Sequence, residues 1–107
     1  MMSLVVRPAS VRSDLKEIGR FIAQRSQSLE LALRFLDRVD EKCNLYATHP
    51  DMGMPRADLG PNVRCFSVSE YVVFYEPYRG GIRLLLVTHG SRDVPSVFRG
   101  RFGEPTE

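Results

Sequence analysis

Hydrophobic residues recur with two different periods along this chain, and the change of period marks the predicted elements. The run from Ser3 to Arg7 is rich in β-branched residues and is stopped by Pro8, which predicts a short strand. Apolar side chains then recur every three or four residues over 10–25 and again over 29–48, with a short polar connection between them. This spacing predicts two amphipathic helices in an antiparallel hairpin, the first of them capped by Ser10.

The second half of the chain has the pattern of a sheet. Residues 51–62 contain two Gly, two Pro, two Asp and one Asn, and this composition predicts a loop. Apolar runs over 63–68, 71–75 and 82–87 then predict three strands, with a pair of glycines at the reversal into the last. The middle run is apolar on both faces, which is typical of a central strand covered on both sides.

The predicted order is β-α-α-β-β-β, an α+β fold in which a helical hairpin packs on one face of an antiparallel sheet. We expect the first strand to join this sheet at or near an edge, or beside the last strand. No structure is predicted for the tail, residues 93–107. The residues expected to be largely buried are Leu15, Ile18, Ile22, Leu33, Leu36, Val39, Val73, Leu84 and Leu86.

Composition narrows the class of protein. A chain of 107 residues can bury one core, so residues 1–107 are expected to form a single domain. Its 43% hydrophobic and 26% charged residues are typical of a folded globular protein. The sequence contains neither a signal peptide nor an apolar run of membrane-spanning length, so we expect a cytoplasmic protein. Cys43 and Cys65 are too few for a disulfide framework or a zinc site and should be buried small hydrophobes.

The charge balance does not by itself indicate a nucleic-acid-binding protein. Fifteen cationic and 13 acidic residues give a net charge of +2. Thirteen of the cations are arginines, and the planar guanidinium group suits carboxylates, phosphates and protein interfaces. Codon usage in a GC-rich genome would produce the same excess, and the sequence leaves both explanations open.

The chain offers little for catalysis. Its histidines are His49 and His89, no nucleophile elbow is present, and neither cysteine lies in an activating context. Metal-ligand spacings and phosphate-binding glycine loops are also missing, so no catalytic residue, metal site or cofactor is predicted. Residues 89–93 (His-Gly-Ser-Arg-Asp) follow a predicted strand and either contact a partner or bond within their own loop. Arg64 and Arg83 either share a sheet face as a cationic strip or are solvated separately.

An ordered set of residues resembles the ParE toxins, which belong to the ParE/RelE superfamily of bacterial type II toxin–antitoxin modules. The resemblance extends from Val5 to Asp93 and departs at Gly19, where the family usually carries a larger residue, and in the tail from Pro95 to Glu107. The residues that carry it are Pro8-Ala9, Asp14-Leu15, Ile18, Phe21-Ile22-Ala23, Pro50, Gly53, Arg56, Leu59, Arg64, Tyr71 to Tyr75, Gly81-Ile82, Val87, His89-Gly90 and Arg92-Asp93.

The resemblance implies a small toxin that poisons DNA gyrase by binding, not by catalysis, and that a ParD-like antitoxin neutralises in a hetero-oligomer. It implies no membrane partner and no direct sequence-specific binding of nucleic acid. A RelE-like ribosome-dependent mRNA endonuclease is the alternative within the superfamily. Such an enzyme needs positioned acid–base groups, and the sequence after Asp93 contains no Tyr, Lys or His. An inert protein that retains only the toxin fold is a third possibility.

Candidate binding residues follow from this interpretation. An amphipathic antitoxin segment would dock either as a helix in a groove or as an added strand, with its acidic side chains on arginines. The expected antitoxin contacts are Phe21, Arg25, Arg64, Arg83, Leu85 and Arg92. The expected target contacts are Arg92, Arg99 and Phe102.

Overall fold

The computed structural model describes residues 3–104, which form a helical hairpin and a third helix on a five-stranded sheet. In chain order the elements are β1 (Val5–Val6), α1 (Ala9–Ser26), α2 (Leu29–Thr48), a 3-10 turn (Pro50–Met52), β2 (Met54–Pro55), β3 (Arg64–Val68), β4 (Tyr71–Tyr78), β5 (Gly81–His89) and α3 (Val94–Phe102). The strands lie in the order β1-β5-β4-β3-β2. The predicted α+β fold is confirmed, and β2 adds a short edge strand within the predicted loop.

The sheet is mixed, whereas the sequence predicted an antiparallel one. β1 runs parallel to β5, with Val5 opposite Ile82 and Val6 opposite Arg83, and the other neighbouring strands are antiparallel. Parallel neighbours need a long crossover connection, and the helical hairpin begins that connection. The first strand does lie at an edge beside the last strand, as predicted. Because β1 has only two residues, β5 has no neighbouring strand on its outer side beyond Arg83 within residues 3–104.

Both helices of the hairpin begin close to the predicted positions, but the capping residue of α1 was predicted wrongly. Pro8 occupies the capping position, and no side chain caps this helix, so Ser10 lies inside the first turn. In α2 the cap is Ser28, whose Oγ accepts a hydrogen bond from the Leu31 N–H at 3.2 Å. Gln27, in the left-handed region at φ 54°, reverses the chain between the two helices.

Both faces of the sheet are covered, which explains the apolar character of β4. On one face the helical hairpin packs against alternate residues of this strand, among them Val73 and Tyr75. On the other face, Phe98 of α3 packs with Phe74 and Leu86. The prediction of a central strand covered on both sides is confirmed.

The expected core is confirmed for four of its nine residues, four others are only partly buried, and Leu33 is exposed. Leu33 is 52% exposed, because Ala32, Phe35 and Val39 form the buried face of α2 and Leu33 lies outside that stripe. Four expected core residues are buried, namely Val39, Val73, Leu84 and Leu86. Four more are partly buried and pack on the hairpin side of the core, namely Leu15, Ile18, Ile22 and Leu36.

The tail, for which no structure was predicted, forms helix α3. Asp93 caps this helix by accepting hydrogen bonds from the N–H of Ser96 at 3.4 Å and from its hydroxyl at 2.9 Å. Pro95 lies in the first turn, where its missing N–H would have no helical partner. Val94 and Phe98 are buried against the sheet, so the tail belongs to the core as far as it is described. Residues 105–107 lie outside the described part of the chain.

Gly19 lies inside α1, where glycine is unfavourable. A Cβ atom built on it would lie 3.6 Å from Leu36 Cδ1, an ordinary van der Waals contact. We expect Gly19→Ala to raise the free energy of unfolding by about 0.5 to 1 kcal/mol, measured by urea denaturation. Gly100→Ala in α3, where a Cβ would meet nothing within 4 Å, is the matched control. A destabilised Gly19→Ala beside a stabilised control would contradict the described helix spacing.

Cys43 and Cys65 are both buried, as predicted. Burial raises the pKa of the Cys43 thiol from 9.0 to about 11. The native state therefore holds this proton more tightly than the unfolded state, so the stabilisation is complete below pH 9 and is lost as the pH rises through 11.

We expect the thiol of Cys43 to remove about 2 kcal/mol of stability between pH 8.5 and pH 11. Burial also raises the pKa of Tyr71 and of Tyr75, so both tyrosines add to the decline. Denaturation of a Cys43→Val variant over the same range isolates the thiol, because the tyrosines remain. Equal declines in both proteins would contradict the assignment.

Candidate partner-binding groove

A groove of about 1300 Å³ opens between the connected end of the helical hairpin and α3. Its floor is the second half of β5, from Leu86 to His89, together with Tyr71 at the start of β4. One wall is formed by residues of α1 and α2, and the opposite wall by residues within 91–101. This surface, called the groove below, is open at the side of β5 that lacks a neighbouring strand.

Two large apolar side chains are exposed on the hairpin wall of the groove. Phe21 of α1 is 52% exposed and Leu31 of α2 is 46% exposed. The guanidinium carbon of Arg25 lies 5.8 Å from the centroid of the Phe21 ring. Aromatic side chains and arginine are enriched at protein–protein interfaces, so Phe21 beside Arg25 is typical of such a surface.

The groove carries guanidinium groups that the fold does not use. Within residues 3–104, Arg25, Arg38 and Arg92 form no ion pair. Arg34, another lining residue, is paired with Glu30 at 2.6 Å. Glu17 is a lining carboxylate that also forms no ion pair within residues 3–104, so the unpaired charges of the groove are three positive and one negative. This excess of positive charge favours a partner with acidic side chains.

Asp14 and Arg101 form a two-pronged ion pair in the groove, with nitrogen-to-oxygen distances of 2.6 and 2.8 Å. Their side chains are 12% and 24% exposed, and the hydrogen bonds to Asp14 raise the pKa of Arg101 above its ordinary value. Asp14 Oδ2 also accepts from the Val87 N–H at 3.0 Å, and Arg101 donates to the Leu85 carbonyl at 3.1 Å. The pair therefore joins α1, α3 and the outer edge of β5.

The segment 89–93 is bonded mostly within itself. His89 Nδ1 lies 2.7 Å from Ser91 Oγ and accepts from the Ser91 N–H at 3.1 Å. His89 Nε2 lies 3.6 Å from a carboxylate oxygen of Glu70, an exposed residue. Asp93 caps α3, so Arg92 is the member of this segment left to face a partner.

The structure separates Arg64 from Arg83. Arg64 lies opposite Tyr75 on the hairpin face and donates to the carbonyls of Asp51 and Gly53, both at 2.8 Å. Arg83 lies on the other face, where it binds Glu76 at 2.7 and 3.0 Å. The two do not form a cationic strip, and the alternative of separate positions holds.

Of the residues expected to contact an antitoxin, the structure places Phe21, Arg25 and Arg92 in the groove. Arg64 and Arg83 lie elsewhere. The side chain of Leu85 packs with the core on the α3 side of the sheet, and only its carbonyl reaches the edge beside the groove.

The residues expected to contact a target lie partly on α3. Arg99 is exposed and lies 3.6 Å from a Glu104 carboxylate oxygen. Phe102 is 47% exposed, with its ring centroid 4.6 Å from that of Phe98. Both therefore lie outside the groove, whereas Arg92 lines it.

Sequence reasoning missed the Asp14–Arg101 pair and the role of Arg38. The paired residues are 87 positions apart. Because no structure was predicted for the tail, the sequence offered no reason to place Arg101 near Asp14. Arg38 was not among the expected contacts. Its position one helical turn after Arg34 was the available signal for a cationic helix face.

Comparison with known proteins identifies the family. A family model described as the ParE toxin of type II toxin–antitoxin systems, parDE, matches residues 5–94. The chain therefore belongs to the ParE toxin family, and family membership implies an antitoxin partner. Toxin ParE3 of Caulobacter vibrioides is 27% identical over 93 residues, which cover 87% of this chain and 92% of the relative. None of the helices in residues 3–104 has the length and apolar character needed to cross a membrane.

Proposed function

We propose that this chain arrests growth by binding DNA gyrase and that a ParD-like antitoxin holds it inactive in a hetero-oligomer. The observation that carries the proposal is the family match, which covers the hairpin, the sheet and the floor of the groove. In this proposal the chain acts in the cytoplasm by surface contact, without a cofactor and without catalysing a reaction.

The groove is the proposed antitoxin site. Phe21 and Leu31 supply exposed apolar surface, and Arg25, Arg38 and Arg92 supply charge that acidic side chains would neutralise. Burying an aromatic anchor beside paired charges is how a small number of contacts dominates many protein interfaces. Arg64 and Arg83 would be reached only by a segment that continues around the sheet, and both already have hydrogen-bond partners.

The exposed side of α3 is the proposed target surface. Arg99 and Phe102 lie there, beyond the groove, and Arg92 lies at the start of the same region. Because both surfaces meet along α3 and the segment before it, an antitoxin in the groove would crowd the target surface. Neutralisation would then follow from obstruction of the target surface.

Induction of the chain alone, and together with the neighbouring reading frame, tests the toxin–antitoxin assignment. We expect growth arrest in the first case, rescue in the second and co-purification of the two proteins. A substitution of Phe21 and Arg25 to alanine should weaken rescue without removing toxicity. Growth that is unaffected by the chain alone would favour an inert toxin-fold protein.

Primer extension on mRNA from the arrested cells distinguishes gyrase inhibition from mRNA cleavage. We expect intact transcripts, because mRNA cleavage depends on positioned acid–base groups, which the sequence after Asp93 does not offer as Tyr, Lys or His. Such groups contribute a factor of roughly a hundred to ten thousand to the rate of cleavage. Codon-specific cuts with gyrase unaffected would overturn the proposal in favour of a RelE-like endonuclease.

A further inference from the structure

The outer edge of β5 is the position at which a partner strand would be expected. β1 pairs only with Ile82 and Arg83 of this strand, and the groove floor lies beyond them. An unpaired edge usually presents free N–H and carbonyl groups, and extended peptides bind proteins by adding a strand to such an edge. The backbone of the groove floor therefore decides which kind of segment can bind there.

Groups along this edge already have hydrogen-bond partners. The Leu85 carbonyl accepts from Arg101 at 3.1 Å, and the Val87 N–H donates to Asp14 at 3.0 Å. The His89 carbonyl accepts from the Arg92 N–H at 3.1 Å. Alternate residues of a strand direct their backbone groups to the same side, so these three positions are successive points of one ladder.

An added strand would have to break the Asp14–Arg101 pair. It needs the Val87 N–H as a donor, and Asp14 Oδ2 occupies that donor while also accepting from Arg101 at 2.8 Å. Both side chains are mostly buried, at 12% and 24% exposed. Separating partly buried charges without new partners is strongly unfavourable, so strand addition is disfavoured at this point.

The side chains around the groove remain available. Phe21 and Leu31 project from two different helices, and Arg25, Arg38 and Arg92 form no ion pair within the described range 3–104. A helix satisfies its own backbone and offers only side chains, with apolar anchors every three or four residues along one face. Acidic residues beside those anchors would complement the three arginines.

We propose that the Asp14–Arg101 pair caps the edge of β5 against strand addition, so that the groove accepts an acidic amphipathic helix. This proposal rests on the assignment of the groove as the antitoxin site. In it, Asp14 and Arg101 determine whether a helical or an extended partner segment can bind. The pair acts through the Leu85 and Val87 backbone groups and does not need to touch the partner itself.

Two synthetic peptides of identical composition provide the test. The helical peptide has a leucine every three or four residues with glutamates beside them, and a lactam bridge within this pattern fixes the helix. The alternating peptide has leucine and glutamate at successive positions, and its lactam bridge lies outside the alternating segment. Titration calorimetry with the full chain should give at least tenfold tighter binding of the helical peptide. Hydrogen exchange at the Val87 amide should be unchanged on binding.

Variants assign the preference to the ion pair. Asp14→Ala should reduce the ratio of helical-peptide affinity to alternating-peptide affinity at least fivefold, because the alternating peptide should bind more tightly to this variant. Asp37→Ala, which removes an exposed carboxylate of α2 that does not line the groove, should leave the ratio of the two affinities unchanged. If Asp14→Ala does not fold, Asp14→Asn replaces it, because the amide oxygen can still accept from Val87 while the charge is lost; the ratio should then narrow less.

Several results would overturn the proposal. These are equal or tighter binding of the alternating peptide to the wild-type chain, binding of neither peptide, or an unchanged ratio in the Asp14 variants. The peptides report on the groove whatever the target of the toxin is. If the chain does not inhibit gyrase but still prefers the helical peptide, only the proposed function is contradicted. If the chain inhibits gyrase but does not prefer the helical peptide, only this inference is contradicted.

Discussion

Reversing the charge of Arg25 and Arg92 together is expected to weaken binding of the antitoxin about a hundredfold, because each change removes a favourable charge pair and adds a repulsive one. Both residues line the groove and form no ion pair within residues 3–104. Their replacement therefore breaks no ion pair inside the described fold. Titration calorimetry with the product of the neighbouring reading frame measures the effect.

Arg20→Glu is the matched control for these charge reversals. Arg20 is exposed on α1, as is Arg25, but it does not line the groove. We expect its reversal to change the affinity by less than about threefold, since an exposed charge outside an interface acts only through screened long-range attraction. The wild-type affinity should also fall with rising salt. Equal losses in the control and in the double variant would refute the groove as the binding surface.

Removal of the Arg101 guanidinium is expected to lower the free energy of unfolding by about 2 to 3 kcal/mol. Arg101→Ala leaves the Asp14 carboxylate, which is 12% exposed, without its partner and leaves the Leu85 carbonyl without its donor. Breaking a buried pair by removing one partner costs about 3 to 5 kcal/mol, and the partial exposure of Arg101 reduces that figure. Urea denaturation followed by circular dichroism measures the loss.

Arg99→Ala separates the ion pair from helix propensity. Arg99 lies on the same helix, is exposed and is 3.6 Å from the exposed carboxylate of Glu104. We expect this variant to lose less than about 0.5 kcal/mol, as exposed pairs contribute little. A loss at Arg101 no larger than that at Arg99 would show that the pair with Asp14 does not stabilise the fold.

The sequence predicted the parts of the fold that are set by local periodicity. The two helices and the three long strands are found within a few residues of their expected bounds. Leu33 was misplaced, because Leu33 and its neighbour Ala32 both fit an apolar helical stripe and the sequence alone does not say which of the two turns inward; Ala32 is the buried one. The prediction that Ser10 caps α1 was wrong because Pro8 already fixes the backbone before the helix. The helix therefore begins at Ala9, one residue before Ser10.

Contacts between distant parts of the chain could not be predicted in the same way. Asp14 and Arg101 were both visible as charges, but their pairing depends on where α3 docks. That docking rests on Val94 and Phe98, whose apolar period is interrupted by Pro95 and Gly100 in the sequence. The groove was expected in general terms, and Phe21, Arg25 and Arg92 were placed in it by the structure, whereas Arg64 and Arg83 were not.

Gyrase inhibition by the purified chain is the central claim, and a supercoiling reaction tests it most directly. Relaxed plasmid, gyrase and ATP are incubated with increasing toxin, and the products are separated on a gel after protein removal. We expect loss of supercoiling together with accumulation of linear, cleaved plasmid, and neither effect when the toxin is first mixed with the proposed antitoxin. Undiminished supercoiling without cleaved plasmid, at toxin concentrations that arrest growth in cells, would contradict the account.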